Sequence, residues 1–134
     1  KLKLAPVRGI IEGKSLVVID DSMVRGTTSR KIVRMLREAG AREIHFRIAC
    51  PPITGSCFYG VDTPNREELI SHRFDVEQAC KYIEADSLGF LSLEMLRCFL
   101  GDESSSFCDA CFSGKYPLLP HDALDAEDEA ALGF

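Results

Sequence analysis

Residues 16–28, read LVVIDDSMVRGTT, constrain the fold more than any other part of the sequence. Four apolar residues come first, and an unbroken apolar run predicts a strand buried on both faces, as in a parallel sheet. Two carboxylates, Asp20 and Asp21, end that run, and a short loop leads through Gly26 into a helical pattern. Open α/β sheets bind ligands at the carboxyl ends of their strands, and backbone N–H groups at the start of a helix bind phosphate. The stretch therefore predicts an anion site beside two carboxylates.

The adjacent carboxylates are the unusual feature of this stretch. Two neighbouring aspartates at a buried strand end repel each other and cost stability, and such strain usually marks a functional site. The alternative is an ordinary strand–loop–helix connection that contains polar residues. That alternative accounts for any one of these residues more easily than for all of them together.

The next segments extend the predicted sheet. Residues 27–39 carry apolar side chains at helical spacing, with Thr27 or Thr28 as the cap and Gly40 as the end. Residues 43–50 alternate between apolar and polar, which is typical of a strand, and Pro51 stops it. Strand, helix and strand in this order predict a parallel pair joined by a crossover.

After residue 62 the pattern is mostly helical. The sequence predicts, in order, a helix over 65–71 capped by Thr63-Pro64, a helix over 76–84 capped by Asp75 with Val76 facing inward, a strand over 87–91, a helix over 93–100 capped by Ser92, a polar linker over 102–106 and an acidic tail from His121. We therefore divide the chain into residues 1–62, which carry the anion site, and a helical carboxy-terminal extension, residues 63–134.

Composition excludes several classes of function. The chain has 134 residues, the length of one domain, and a net charge of -5, which argues against a nucleic-acid partner. No apolar run approaches the ~20 residues that cross a bilayer, so we predict no membrane partner. The opening KLKLAPVRG is not a signal peptide and lacks an initiator Met. We interpret the chain as the carboxy-terminal piece of a longer protein.

Several motifs resemble one known family. VVIDDSMVRGTT closely resembles the phosphoribosyl-pyrophosphate (PRPP) motif of type I phosphoribosyltransferases. TTSRKIVRMLREAGAREIHFRIACPPI, CFYGVDTPNREELI and CDACFSGKYP resemble the carboxy-terminal part of the glutamine PRPP amidotransferase family, and the likeness covers about residues 1–117. The first motif alone indicates only the superfamily, whereas CFYGVDT and CxxCFxGKYP single out this family. The resemblance implies an α/β fold: a parallel-sheet, Rossmann-like phosphoribosyltransferase fragment with a helical carboxy-terminal extension.

The resemblance also implies roles for the residues of the motif. Its catalytic residues would be Asp20 and Asp21, which accept hydrogen bonds from the ribose hydroxyls directly or through Mg²⁺. The 5′-phosphate would be bound by backbone amides and hydroxyls of Ser22, Met23, Val24, Arg25, Gly26, Thr27 and Thr28, with Gly26 small so that no side chain obstructs the phosphate. Four basic residues of the opening segment, Lys1, Lys3, Arg8 and Lys14, would face the pyrophosphate.

The six cysteines allow several interpretations. The pair in Cys108-Asp-Ala-Cys111 fits zinc, iron–sulfur or redox chemistry, although no βαβ strand precedes it as in redox proteins and zinc needs two more ligands. By resemblance, Cys57, Cys108 and Cys111 ligate a [4Fe–4S] cluster whose fourth ligand lies upstream of this chain. Where the family often has Ser, this chain has Cys50, a spectator or an alternative fourth thiolate. We expect Cys80 and Cys98 to be small core residues.

The family resemblance implies an activity and partners. The enzyme would transfer glutamine-derived ammonia to C1 of PRPP, in the cytoplasm, as the first step of purine synthesis. Its partners would be PRPP, glutamine or ammonia through an upstream glutaminase domain, purine nucleotide inhibitors and, at full length, three further copies in a homotetramer. Two other classes remain open: a non-catalytic module that senses PRPP or a nucleotide, and a zinc-binding interaction domain.

Overall fold

The computed structural model describes residues 5–118 of the chain. Lys1, Lys3 and the acidic tail from His121 lie outside these residues. The described elements follow one another as α1 (Arg8–Ile11), β1 (Ser15–Asp20), α2 (Thr27–Glu38), β2 (Glu43–Ile48), a 3₁₀ helix (Arg66–Glu68), α3 (Ile70–Arg73), α4 (Val76–Ile83), β3 (Ser87–Phe90), α5 (Leu93–Leu100), a second 3₁₀ helix (Gly101–Ser106) and α6 (Ala110–Ser113).

The three strands form one parallel sheet in the order β1-β2-β3. In β1 and β2, Ser15 lies opposite Glu43 and Asp20 lies opposite Ile48, so the two strands run in register over their whole lengths. The predicted strand–helix–strand unit is therefore confirmed, and the fold is α/β. β3 extends the same sheet, so the chain on either side of residue 62 shares one core.

The core lies between the sheet and the helices on one of its faces. Ile44 and Phe46 of β2 are fully buried there, together with Val33 of α2 and Ile83 of α4. Burying a side chain of this size stabilises the fold by roughly 1.5–3 kcal/mol. Packing of α2 and α4 on this face fixes both helices relative to the carboxyl end of β1.

The opposite face of the sheet is open among the described residues, which corrects one prediction. The apolar run of β1 was expected to be buried on both faces, but Val17 is 66% exposed and Ile19 is 75% exposed. Their neighbours Leu16 and Val18 pack against the core. Successive side chains of a strand point to opposite faces, and no element of residues 5–118 covers the second face.

Two of the predicted helix caps are confirmed. Asp75 accepts the backbone N–H of Gln78, whose side chain in turn accepts the backbone N–H of Asp75, and this capping box begins α4. Ser92 accepts the N–H of Met95 and begins α5. Both caps lie immediately before an amphipathic segment, where capping rules are most informative.

Other local predictions were wrong. Thr63 does not cap a helix, because its hydroxyl accepts the backbone N–H of Cys57 at 2.7 Å, and the helix expected over 65–71 is a 3₁₀ turn followed by α3. The polar stretch 102–106 is a 3₁₀ helix rather than a linker. Val76 is exposed rather than inward-facing, Cys98 is exposed, and Cys80 is only half-buried and is not one of the residues that pack on the core. Among residues 5–118, no helix combines the length and apolar character needed to cross a membrane.

Candidate functional site

The site lies where β1 ends and α2 begins. Ala49, just after β2, donates its backbone N–H to the carbonyl of Asp20 at 2.9 Å, which continues the sheet to the first carboxylate. The chain then turns away through a loop, and a cavity of about 300 Å³ opens over it. The cavity is lined by Asp20, Asp21, Ser22, Met23, Val24, Arg25, Gly26, Thr27, Thr28 and Ser29. The structure therefore brings every substrate-binding residue predicted from the sequence to one concave surface.

The backbone N–H groups of the loop divide into two sets. Asp21 donates to the side chain of Asp20 at 3.1 Å, and Ser22 donates to the side chain of Asp21 at 2.9 Å. Among residues 5–118, the N–H groups of residues 24–28 make no hydrogen bond to another group of the chain. The N-cap residue of α2 is Gly26, which has no side chain to cap the helix, so the threonine cap predicted from the sequence was wrong. A run of unpaired amides at the positive end of a helix is suited to an anion.

The structure gives a reason for glycine at position 26 that differs from the one predicted from the sequence. Its φ is +72°, in the left-handed region that favours glycine, and a Cβ there would lie 2.5 Å from Cδ1 of Ile70. A side chain at this position would meet the core between α2 and α3, not a phosphate in the cavity. Gly26 thus allows the loop to pack closely on Ile70 while its amide remains at the cavity wall.

Two further contacts hold the loop from behind. Ile70 donates its backbone N–H to the carbonyl of Val24 at 2.8 Å. The guanidinium of Arg25 pairs with Glu68 at 2.8 Å, with about half of each side chain exposed. The side chain of Met23 is fully buried in the core. The loop is therefore fixed at several points before any ligand binds, and the Arg25 side chain is held by Glu68.

The two carboxylates differ in environment. Asp20 is half-buried and Asp21 is exposed. Burial raises the pKa of Asp20, the neighbouring charge of Asp21 raises it further, and the hydrogen bond from the Asp21 N–H opposes the rise. A raised carboxylate pKa means that negative charge is unfavourable at that position, so a bound cation or hydroxyl donor relieves the cost. This donor set fits Mg²⁺, which prefers one or two carboxylates with substrate oxygens.

An ion cluster fixes α2 against α4 behind the site. Glu84, at the end of α4, accepts Arg30 at 2.6 Å and Arg34 at 2.5 Å. These two guanidiniums, Arg34 first, lower the pKa of Glu84 to about 2. Arg30 also lies over the ring of Tyr82, 5.1 Å from its centroid. The cluster keeps the amino end of α2 in place beneath the cavity.

Two of the basic residues expected near a pyrophosphate, Arg8 and Lys14, do not line the cavity. Arg8 is exposed in α1 and pairs with Glu12 at 3.7 Å. Lys14 precedes β1, so it lies at the amino end of that strand whereas the cavity lies at its carboxyl end. A strand of six residues separates its two ends by roughly 20 Å. Among the described residues of the opening segment, neither cation lines the cavity.

The cysteine segment packs against the loop that follows β2. The carbonyl of Cys111 accepts backbone N–H groups from Thr54 at 3.0 Å and Gly55 at 3.1 Å. Tyr116 donates its hydroxyl to the carbonyl of Ser56 at 2.7 Å. These bonds place the Cys57 loop beside the Cys108–Cys111 pair, although more than 50 residues separate them in the sequence.

The thiols of this segment have distinct environments. Backbone N–H groups of Tyr59, Val61 and Gly60 lower the pKa of Cys57, and that of Tyr59 lies 3.4 Å from the sulfur. Burial raises the pKa of Cys111, and its neighbours Cys57 and Cys108 add to the rise. Within residues 5–118, no three His, Cys, Asp or Glu side chains are grouped closely enough to hold a metal ion. The hydrogen bond from the Tyr59 N–H to the Cys57 sulfur is nevertheless of the kind that surrounds the thiolates of iron–sulfur sites.

Comparison with known proteins identifies the family. No family model matches the chain. It is 64% identical over 120 residues to the chloroplastic amidophosphoribosyltransferase of Vigna aconitifolia, which covers 90% of this chain and 25% of that protein. It is 52% identical over 132 residues to the amidophosphoribosyltransferase of Bacillus subtilis, which covers 90% of this chain and 28% of that protein.

The chain belongs to the amidophosphoribosyltransferase family. A solved structure of the B. subtilis glutamine PRPP amidotransferase in complex with ADP and GMP superposes with a TM-score of 0.83 and 51% identity, over 92% of this chain and 28% of that chain. The chain spans about a quarter of the length of the amidophosphoribosyltransferases that it matches, at their carboxy-terminal end.

Several residues that shape this site were not found from the sequence. Ser29 lines the cavity, and Glu68 and Ile70 hold the loop from behind. Glu68 and Ile70 belong to the CFYGVDTPNREELI motif, but the motif does not indicate their contacts with the loop, because those contacts cross a long sequence separation. Ser29 directly follows the VVIDDSMVRGTT motif, so its place in the cavity could have been predicted from the sequence.

Proposed function

We propose that this chain is the PRPP-binding part of an amidophosphoribosyltransferase. The whole enzyme would displace pyrophosphate from C1 of PRPP with ammonia from glutamine, giving 5-phosphoribosylamine, pyrophosphate and glutamate, the first step of purine synthesis. The observation that carries this proposal is the run of unpaired amides at residues 24–28, directly beside Asp20 and Asp21. A phosphorylated sugar needs both groups in one cavity, the amides for its phosphate and the carboxylates for its hydroxyls.

The loop would bind the 5′-phosphate. The N–H groups of residues 24–28 lie in the cavity region at the positive end of α2, and hydroxyls of Ser22, Thr27 and Thr28 border it. Hydrogen bonds to a doubly charged phosphate are stronger than those between neutral groups. Because the loop is fixed by Ile70 and by the buried Met23, little ordering is needed when the phosphate binds.

The carboxylates would act on the ribose. Asp20 and Asp21 would accept hydrogen bonds from the ring hydroxyls, and in this pose they would lie near the positive charge that grows on the sugar as its bond to pyrophosphate breaks. Fixed negative charge near that centre lowers the barrier electrostatically. When bound by the same carboxylates, Mg²⁺ would supply charge neutralisation for the departing pyrophosphate. No side chain of this chain needs to form a covalent intermediate.

Three further features of the whole enzyme are proposed on the strength of the family. Ammonia would come from a glutaminase domain, consistent with relatives about four times as long as this chain. Purine nucleotides would bind as inhibitors, since the B. subtilis relative was solved with ADP and GMP. A homotetramer and a cytoplasmic location remain predictions, and the plant relatives are named as chloroplastic proteins.

We also propose that Cys57, Cys108 and Cys111 ligate a [4Fe–4S] cluster, with the fourth ligand outside this chain. Three arguments support it: the Tyr59 N–H donates to Cys57 and lowers its pKa, the Cys57 loop is bonded to the Cys111 backbone, and the nearby Cys57 and Cys108 add to the rise in the pKa of Cys111. The cluster would link the tail to the loop after β2.

Equilibrium binding of labelled PRPP to the chain tests the proposed function. We expect saturable binding that strengthens with Mg²⁺ and that ribose 5-phosphate displaces, because both compounds carry the phosphate that the loop holds. Asp21→Asn should weaken binding, whereas Asp102→Asn, a change to an exposed carboxylate of the second 3₁₀ helix, should not. Binding that is indifferent to ribose 5-phosphate and to Asp21→Asn would contradict the proposal.

A further inference from the structure

Ser29 is the one polar residue among the buried residues that the structure describes, with 2% of its surface exposed. It lies in the first turn of α2, four residues before Val33, which is fully buried in the core. Residues four apart lie on the same face of a helix, so Ser29 is on the face of α2 that packs against the core. Ser29 also lines the cavity. It therefore lies at the floor of the cavity, where the cavity meets the core.

The hydroxyl of Ser29 has no hydrogen-bond partner among residues 5–118. A serine within a helix usually faces bulk solvent or donates to the carbonyl four residues earlier. Ser29 is too buried for the first, and it makes no such bond to Arg25. In the described part of the chain, every side-chain nitrogen or oxygen that is sealed from solvent has a partner. The unpartnered hydroxyl must therefore reach accessible space, and the cavity is the space that Ser29 lines.

The backbone of Ser29 offers a second donor at the same place. The first backbone bond of α2 runs from the N–H of Arg30 to the carbonyl of Gly26 at 2.9 Å. Within residues 5–118, the N–H of Ser29 makes no bond of this kind, so it continues the run of unpaired amides at residues 24–28. Each Cα–Cβ bond of an α-helix tilts toward the amino end, so the side chain of Ser29 leans toward those amides. One buried residue thus adds two donors to the anion site.

We propose that Ser29 is a further substrate-binding residue, whose hydroxyl donates to the phosphate bound at the start of α2. The inference rests on the proposed function, which puts a phosphate there. In the free chain, a hydroxyl without a protein partner on so buried a residue is poorly solvated, and this costs stability. A phosphate oxygen removes that cost and forms a charge-assisted hydrogen bond. The sequence motif ended the set of donors at Thr28, and Ser29 extends that set along α2 to the floor of the cavity.

Ser29→Ala separates this role from a structural one by its effect on stability. If the hydroxyl serves the ligand, the melting temperature of the free chain should stay unchanged or rise, because alanine is the better helix former. The same variant should bind ribose 5-phosphate about tenfold or more weakly in titration calorimetry, since a donor to a charged group is lost. A variant that melts lower than wild type, or that binds ribose 5-phosphate with wild-type affinity, would overturn the inference.

Ser71→Ala is the matched control for this substitution. Ser71 is a half-buried serine of α3 that does not line the cavity, so the same chemical change there should leave the affinity for ribose 5-phosphate unchanged. Equal losses of affinity in the two variants would overturn a role specific to Ser29.

A comparison of two ligands shows which part of the substrate Ser29 contacts. Ser29→Ala should weaken the binding of PRPP with Mg²⁺ and of ribose 5-phosphate by the same factor, because both carry the 5′-phosphate. A loss confined to PRPP would assign the contact to the pyrophosphate and overturn the inference. If the wild-type chain binds neither compound, the proposed function fails and this inference fails with it. If the wild-type chain and Ser29→Ala bind both compounds equally well, only the role of Ser29 is rejected.

The wild-type chain provides a test that needs no variant. In the ¹⁵N-labelled chain, ribose 5-phosphate should shift the amide resonance of Ser29 together with those of residues 24–28. Movement of residues 24–28 with an unmoved Ser29 resonance would overturn the inference and leave the proposed function standing.

Discussion

The backbone N–H of Ile70 donates to the carbonyl of Val24 at 2.8 Å, so a residue beyond the whole β2 region holds the loop between β1 and α2 from behind. The same Ile70 side chain closes the space beside Gly26. The loop is therefore not a self-contained motif. Its shape depends on a segment more than 40 residues away in the sequence, and substitutions at the contact should affect stability and ligand binding together.

Gly26→Ala should destabilise the fold by about 2–4 kcal/mol, since a side chain is strained at this φ and its Cβ would overlap Ile70. Gly13→Ala is the matched control, because Gly13 has nearly the same φ, +71°, and no atom lies within 4 Å of the position that its Cβ would take. Denaturant unfolding of both variants separates the cost of backbone strain, which both share, from the cost of the overlap with Ile70, which only Gly26→Ala has. Adding Ile70→Val, which removes the overlapping methyl group, should recover only the steric part of the Gly26→Ala loss. Equal losses at the two glycines would show that the overlap with Ile70 is unimportant.

Asp20→Asn should weaken PRPP binding about tenfold or more in the presence of Mg²⁺, because a charged acceptor is lost. The same change should raise the melting temperature at neutral pH. The folded-state pKa of Asp20 is raised, so its ionisation opposes folding above that pKa, and the opposition disappears below the unfolded value of about 3.8. Calorimetry of both proteins at neutral and acid pH checks the sign of the difference in melting temperature between the variant and wild type. A variant that melts lower than wild type at neutral pH would contradict this account.

Glu84→Gln should lower the melting temperature at neutral pH, because Arg34 and Arg30 lose their shared carboxylate. The pKa of Glu84 is lowered to about 2, so its contribution is complete above the unfolded pKa of about 4.5 and is lost as pH falls toward 2. The difference in melting temperature between wild type and variant should therefore shrink across that window. Glu103→Gln, at an exposed position, should change little at any pH. A difference that stays constant with pH would rule out the ion cluster as its cause.

The sequence was most informative where local rules decide the structure. The apolar run before Asp20, the cap at Asp75 and the alternation of β2 each depend on neighbours within a few residues, and each predicted element formed. Predictions failed where distant contacts decide. Thr63 bonds to Cys57, and Gly26 packs on Ile70, which no local spacing reveals. The prediction that β1 is buried on both faces failed for a related reason, since the burial of a strand depends on elements outside it.

The cysteine proposal predicts iron uptake. Anaerobic reconstitution of the chain with iron and sulfide, with a small external thiol as the fourth ligand, should give a broad visible absorbance and bound iron. Cys108→Ser and Cys111→Ser should abolish both signals, and Cys80→Ser should leave them unchanged, because its thiol lies apart from the Cys57 loop. Iron and sulfide analysis provides the measurement. If Cys111→Ser binds as much iron as the wild-type chain, Cys111 is not a ligand of the cluster and the proposed ligand set is wrong.

The most direct test of the central claim is an NMR titration of the ¹⁵N-labelled chain with PRPP and Mg²⁺. If the loop binds the sugar phosphate, the amide resonances of residues 24–28 shift together and saturate with one affinity, and ribose 5-phosphate alone reproduces the shifts. The result that would contradict the account is saturable PRPP binding that leaves the resonances of residues 24–28 in place while amides elsewhere in the chain move.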